Sequence, residues 1–242
     1  MRYAIIAGGE GSRLLKEGVN VPKPLVRIGG ERLIDRLVRV FEDNGAEAIV
    51  VAYRDSMFSV AEHLSYLQGR ADGNNGAPVL AIGVETPSSM HSLNCIIGRL
   101  DAGPFCLTTV DTVFGEDAFK RYISAFTACL DGGEADGMMA VTSYIDDEKP
   151  LYVAVDDGMN ITAFLDEDKG CRYVSAGIYG LTPRCADVLR RCIGRGESRM
   201  RNFQRALLAE GMRLKAFDIG RAFDIDHAAD IAKAELFLRD GV

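Results

Sequence analysis

Residues 3–14 read Tyr3-Ala4-Ile5-Ile6-Ala7-Gly8-Gly9-Glu10-Gly11-Ser12-Arg13-Leu14. The apolar run Tyr3–Ala7 has the length and composition of a buried strand. It runs into a loop of three glycines, which let the backbone turn sharply and let amide N–H groups approach a ligand with no Cβ in the way. A loop of this kind that opens into a helical turn makes a nest for phosphate oxygens. Arg13 adds a planar fork suited to phosphate. Ten residues on, Pro22-Lys23-Pro24-Leu25 holds a lysine in a loop stiffened by proline. The spacing is neither the dinucleotide fingerprint nor the ATPase phosphate loop, which ends in Gly-Lys-Ser/Thr. Each segment alone is ordinary: a glycine turn, a surface arginine, a solvated lysine. Together they are far more specific.

Outward from that stretch, short apolar runs alternate with helical patterns. Ala48–Ala52, Val79–Val84 and Phe105–Val110 read as strands. Leu33, Ile34, Leu37, Val38 and Phe41 recur at helical spacing, and Met57–Leu67, Ser89–Leu100 and Asp117–Leu130 read as helices. Such alternation implies right-handed crossovers and a mainly parallel sheet covered on both faces, an α/β protein. After about residue 136 the pattern changes to Gly137–Ser143, Leu151–Val155, Ile161–Leu165 and Tyr173–Leu181, strand-like with short turns. Helices return at Pro183–Cys192 and Met200–Glu210, a last strand at Leu214–Phe217, and a closing helix at Ala228–Leu238. No linker or repeat interrupts the chain, so one domain over 1–242 is expected, with halves 1–135 and 136–242. Gly69–Pro78, with Gly73-Asn74-Asn75-Gly76, is expected to be a mobile surface loop.

The chain has 242 residues, 48% hydrophobic and 26% charged, with a formal net charge of −7. That balance is that of a globular protein with a core of its own. The acidic surplus argues against a nucleic-acid or anionic-membrane footprint, but leaves room for a small basic pocket. No apolar run approaches the roughly 20 residues of a membrane helix. The cysteines at 95, 106, 129, 171, 185 and 192 form no C-x-x-C, and Cys95 and Cys106 lie in apolar patterns. Buried free thiols and the absence of an export signal lead to an expectation of a cytoplasmic protein. His63, His91 and His227 are too scattered in sequence for a metal motif. Nothing in the sequence fixes an oligomeric state.

Two acidic segments stand out. Phe105-Cys106-Leu107-Thr108-Thr109-Val110 ends in Asp111, at the strand end where open α/β sheets bind ligands. Phe223-Asp224-Ile225-Asp226 precedes the closing helix, and alternation places both aspartates on one face. Mg²⁺ favours one or two carboxylates plus substrate phosphates. Asp226 is equally a good helix N-cap.

The glycine loop followed by Pro22-Lys23-Pro24-Leu25 and Val26-Arg27-Ile28-Gly29-Gly30-Glu31-Arg32-Leu33-Ile34 resembles the signature of sugar-phosphate nucleotidyltransferases, within the MobA-like NTP transferase superfamily. The resemblance implies a three-layer α/β/α Rossmann-like nucleotide-diphospho-sugar transferase fold with a mainly parallel, mixed sheet. The first half would bind the NTP and the second the acceptor. It implies that NTP and a sugar 1-phosphate give NDP-sugar and pyrophosphate. Ala7, Gly8, Gly9, Gly11 and Ser12 would cradle phosphates, Arg13 would hold the leaving pyrophosphate, and Lys23 would pair with the α-phosphate or the acceptor. Asp111 and Asp226 would hold Mg²⁺, with Asp224 in reserve. Glu85, ahead of Thr86-Pro87-Ser88-Ser89, lies where the family contacts the base and α-phosphate; Ser88 or Ser89 is expected to cap the next helix. Gly177, in Val174-Ser175-Ala176-Gly177-Ile178-Tyr179, lies where the family leaves room for the sugar, and Tyr179 is expected in the core. Glu167 matches a family glutamate, although a solvated turn explains it better.

The sequence also departs from the family pattern. Val110-Asp111 replaces Gly-Asp, Ser89-Met90-His91-Ser92-Leu93 stands where Gly-Thr-Ala-Gly is usual, and His227-Ala228-Ala229 replaces Thr-Pro-Glu. The rival readings are a nucleotidyltransferase with a non-sugar acceptor such as phosphocholine or a molybdopterin, a nucleotide-binding regulator with a decayed site, and a glycosyltransferase.

Overall fold

The computed structural model describes residues 1–73 and 76–240. Its strands are β1 Arg2–Ala7, β2 Arg27–Ile28, β3 Glu31–Arg32, β4 Ala48–Arg54, β5 Val79–Val84, β6 Phe105–Thr109, β7 Thr112–Phe114, β8 Gly137–Thr142, β9 Tyr152–Val155, β10 Ile161–Leu165, β11 Tyr173–Leu181, β12 Leu214–Asp218 and β13 Ala222–Asp224. Its helices are α1 Ser12–Lys16, α2 Leu33–Asp43, α3 Phe58–Gly73, α4 Ser89–Ile96, α5 Glu116–Asp131, α6 Cys185–Gly194, α7 Met200–Ala209 and α8 Ala228–Asp240.

β5, β4, β1 and β6 lie side by side, all parallel. β11 then runs antiparallel to β6, β8 antiparallel to β11, and β12 parallel to β8. The early part of β11 also carries β9, which pairs with β10. The alternation in β1 divides the core. Tyr3, Ile5 and Ala7 join the buried residues of α2 and α5 on one face. Ala4 and Ile6 join those of α4, α6 and α7 on the other. Tyr3 stacks on Phe41 with ring centroids 4.4 Å apart, and the five residues Leu33, Ile34, Leu37, Val38 and Phe41 of the predicted stripe are all buried. The expected α/β/α layering with a mixed sheet is the observed one.

Three expectations need correction. Residues 69–73 of the predicted loop continue α3; Asn74 and Asn75 lie outside the described residues. Cys95 is exposed, on the outer face of α4, whereas Cys106 is buried. The ribbon of β7 and β13 was not read as strand at all. Three residues are too few to show a period of two, and the pair forms only because Asp224 comes back beside Thr112. Among the described residues no helix is long and apolar enough to cross a membrane.

Candidate active site

The C-terminal ends of the parallel strands open on one edge of the sheet, and the glycine loop leaves β1 there. Gly11 has φ +62, a left-handed conformation, and a Cβ on it would stand 3.4 Å from the Cβ of Lys23. The loop thus rests on the one-turn helix Lys23–Leu25 and buries the lysine stem. Lys23 Nζ donates to Asp111 Oδ2 at 2.6 Å and to Asp226 Oδ1 at 2.8 Å. Its side chain is 7% exposed, against 19% for Asp111 and 42% for Asp226. Burial favours the neutral amine, but the charge and hydrogen bond of Asp111, joined by those of Asp226, outweigh it and hold the pKa above its ordinary value.

Backbone pairing holds the two aspartates in place. Val110 N–H donates to Ile6 C=O, and Ile225 N–H donates to Asp111 C=O. The second oxygen of Asp226 accepts from Arg13 at 3.1 Å, and Arg13 also reaches Glu148 at 3.3 Å. Burial raises the pKa of Asp226, yet Lys23 and Arg13 bring it below the usual range. Asp226 does not cap α8. Glu17 accepts from Ala228 N–H at 2.7 Å, and Asp230 accepts from Asp226 and His227 N–H at 3.0 and 2.7 Å.

Asp224 lies beside this pair and accepts from Thr112 Oγ1 at 2.9 Å. Crowding by surrounding protein and the charge of Asp111 push its pKa up. Gly177 lies under the same threonine. Its φ is +72, it occupies a register shift in β11, and a Cβ there would stand 2.9 Å from Thr112 Oγ1.

Gly8, Gly9, Lys23 and Asp111 line one cavity of about 360 Å³, closed by Arg54, Thr86, Ser88, Ser89, Ser92 and Thr109. Arg13 and Asp226 line a neighbouring cleft with Asp224 and Glu148, and Asp226 links it to the cavity through its bond to Lys23. Ala7 is buried in the core, Ser12 starts α1 with an exposed side chain, and Tyr179 is buried as expected. Glu85 turns to Ser56 N–H at 3.1 Å and lies outside the cavity lining. Ser88 stands at the N-cap position of α4 but makes no capping bond; its hydroxyl pairs with His91 Nδ1 at 2.9 Å. Sequence reasoning missed Arg54, which donates to Gly8 C=O at 3.3 Å and pairs with Glu10 at 3.2 Å. The available signal was its place at the end of β4, at the ligand-binding edge.

A wider opening of about 800 Å³ lies beyond Glu148 and includes Tyr152, Asp166, Glu167, Asp168, Arg199 and Arg201. Glu167 is in an exposed turn there. Arg199 has φ +74 and is one of two non-glycine residues with positive φ among the described residues.

Residues 3–210 match the model of the MobA-like NTP transferase domain. The chain belongs to that family. No curated protein matches the sequence. Solved structures with a similar fold include the inositol-1-phosphate CTP transferase from T. maritima, 22% identical, with a TM-score of 0.79 over 100% of this chain and 98% of that one. A UDP-glucose pyrophosphorylase from Acinetobacter baumanii is 17% identical, with a TM-score of 0.76 over 98% and 92%. The CTP:phosphocholine cytidylyltransferase LicC from Streptococcus pneumoniae is 14% identical, with a TM-score of 0.71 over 98% of both chains. Family and fold together support nucleotidyl transfer as the activity of this NTP transferase.

Among the described residues no group of three or more His, Cys, Asp or Glu gathers into a metal cage. The two carboxylates that converge on Lys23 suit Mg²⁺ instead, since it takes few protein oxygens and completes its shell with water and phosphate.

Proposed function

We propose that this NTP transferase joins an NTP to a sugar 1-phosphate, with Mg²⁺, to give an NDP-sugar and pyrophosphate. An oxygen of the acceptor phosphate attacks the α-phosphorus in line. The bond from that phosphorus to the oxygen bridging the β-phosphate breaks, and pyrophosphate leaves with the bridging oxygen. No proton has to move and no residue has to become a nucleophile. The protein's part is positioning and charge neutralisation. Gly8, Gly9 and Gly11 offer backbone to the phosphates with Ser12 at the head of α1. Arg13 holds the leaving pyrophosphate, and Lys23 compensates charge at the α-phosphate. Asp111 and Asp226 would hold Mg²⁺, which when bound would supply Lewis-acid neutralisation of phosphate charge.

The observation that carries this reading is the placement of Lys23 between Asp111 and Asp226 at the floor of the glycine-loop cavity. Four residues singled out separately in the sequence meet there: Arg13, Lys23, Asp111 and Asp226. A nucleotide sensor has no need of that full charge set. The test is pyrophosphate release with Mg²⁺, crossing ATP, CTP, GTP, UTP and dTTP against sugar 1-phosphates and phosphocholine. Release from one pair, lost in Asp111→Ala, is expected. Silence across the panel, or free nucleoside diphosphate as product, would sink the reading.

A phosphocholine-like acceptor is the second reading. It is favoured by Glu148, Glu167 and Asp168 near Tyr152 in the wider opening, where Lys149, Arg199, Arg201 and Arg205 also stand and the last two are taken up by Asp166. Carboxylates and an aromatic face suit a cationic head group. The same panel separates the two.

A further inference from the structure

The charges of the site satisfy one another. Lys23 serves Asp111 and Asp226 together, and Arg13 serves Asp226 and Glu148. A nucleoside triphosphate is an anion that needs the two cations. A divalent ion needs the two carboxylates that already hold them. A metal would compete with Lys23 for both carboxylates, and a triphosphate would compete with those carboxylates for Lys23 and Arg13.

The pairs differ in what breaking them leaves behind. Arg13 is half exposed, and water takes over its solvation when a partner leaves. Lys23 is buried, and a buried charge stripped of its partner is strongly destabilised. A metal entering alone would take both carboxylates from Lys23 and strand the ammonium. A triphosphate entering alone would draw Lys23 away and leave Asp111 and Asp226 facing each other, with Asp224 beside them. When both enter, every charge exchanges one partner for another. Lys23 moves from carboxylate to phosphate and the carboxylates move from ammonium to metal.

We propose that Lys23 is a tethered cation that excludes divalent metal from Asp111 and Asp226 until a nucleotide draws it off, so that metal and nucleotide bind as one strongly coupled pair. This rests on the reading of the cavity as the NTP site. Lys23 is then more than a contact to phosphate. It keeps the two carboxylates converged in the free protein, and it makes the order of loading a property of the chain. Its chemistry suits the task. A compact ammonium on a flexible four-carbon stem can move between oxygen partners without losing its charge.

The test is Mn²⁺ binding by the full chain at neutral pH, read from the electron paramagnetic resonance of free Mn²⁺. It is done without nucleotide and then with the α,β-methylene analogues of the NTPs, so turnover plays no part. Wild type should bind Mn²⁺ alone weakly, and the right analogue should tighten it at least a hundredfold beyond the Mn²⁺ that the analogue binds without protein. Lys23→Met should bind Mn²⁺ alone at least tenfold tighter than wild type and lose about that factor of coupling. Equal affinity of the two proteins for Mn²⁺ alone, with the analogue still bound by wild type, would overturn the exclusion and leave the NTP reading standing. An analogue that binds neither protein, with or without Mn²⁺, would overturn both. A thermal melt checks that Lys23→Met folds. If it does not, wild type decides by itself: less than threefold coupling between Mn²⁺ and the analogue overturns the inference.

Discussion

Two ion clusters sit at opposite ends of the sheet, built from the same groups in reverse. At the strand ends that open on the cavity, Lys23 is the buried partner and its carboxylates reach outward. At the other end, Asp136 is the buried partner and its guanidiniums reach outward. Asp136 precedes β8, level with the start of β6 through the pairings Gly137 to Leu181 and Leu181 to Phe105. It accepts from Arg184 at 2.5 Å and from the backbone N–H of Arg213 at 2.9 Å, while its own N–H donates to Arg213 C=O at 2.7 Å. Its side chain is 11% exposed, against 64% for Arg184. Backbone groups of Arg213 together with the Arg184 side chain hold Asp136 in place. Among the described residues only side chains accept from Lys23 Nζ, beside a cavity. A charge locked by peptide groups supports the fold, and a charge held by movable side chains is available to a ligand.

The comparison is most easily broken by removing each centre. Asp111→Ala or Lys23→Ala should cost roughly a thousandfold in turnover, the scale of losing a charge-stabilising group, while circular dichroism stays native. Near-normal turnover in either variant would take that residue out of the site. Asp136→Ala should do the reverse. Loss of its buried hydrogen bonds should cost about 2 kcal/mol of stability in a urea titration, with kcat unchanged.

Acid and alkali sharpen the contrast. Burial works against the charge on Asp136, but Arg213 N–H and the two guanidiniums overcome it and lower the pKa. The stability it contributes is therefore complete above its unfolded pKa, about 3.9, and is lost as pH falls through the lower folded value. The stability gap between wild type and Asp136→Asn should close at the acid end. Lys23 has a raised pKa, so its contribution is complete below its unfolded pKa of about 10.4 and is lost as pH rises through the higher folded value. The gap to Lys23→Met should persist at pH 5 and close only in strong alkali. Closure at the opposite ends would overturn the assignment of buried partner in each cluster.

Gly177→Ala tests the coupling between β11 and the site. A Cβ in a left-handed conformation, 2.9 Å from Thr112 Oγ1, should cost about 1–2 kcal/mol and disturb Asp224 through the threonine. A melting temperature equal to wild type would show that the strand relaxes freely. The smallest effect is expected from Glu148→Gln. It removes an exposed ion pair with Arg13 and should change stability by no more than about 0.5 kcal/mol.

Much of this was legible in the residues. The parallel half carries its own grammar, because each crossover repeats an apolar run and an amphipathic stripe. The glycine loop and Asp111 each lie at the end of a strand that the pattern marks, and Lys23 lies in the proline-stiffened segment beyond the loop. What the pattern could not carry was the meeting of distant segments. Asp226 could be a cap or a ligand on local grounds, and only the fold removes the cap, because Glu17 takes over the capping of α8. The strand order of the second half depends on β11 serving partners on both edges. Local hydrophobicity does not encode that choice. Arg54 reads as an ordinary strand-end arginine until the sheet sets it beside Gly8.

The ribbon of β7 and β13 has a consequence for how the protein comes into being. It joins Thr112 to Asp224, and so brings Asp111 to Asp226. During synthesis the glycine loop, Lys23 and Asp111 leave the ribosome long before their second carboxylate does. The nascent chain can close most of its parallel sheet, but the meeting of Asp111 and Asp226 that the proposed function needs waits for residues 222–226. Activity should therefore appear in a single late step of translation, and a ribosome stalled before that ribbon should carry a protein that is largely folded and wholly inert.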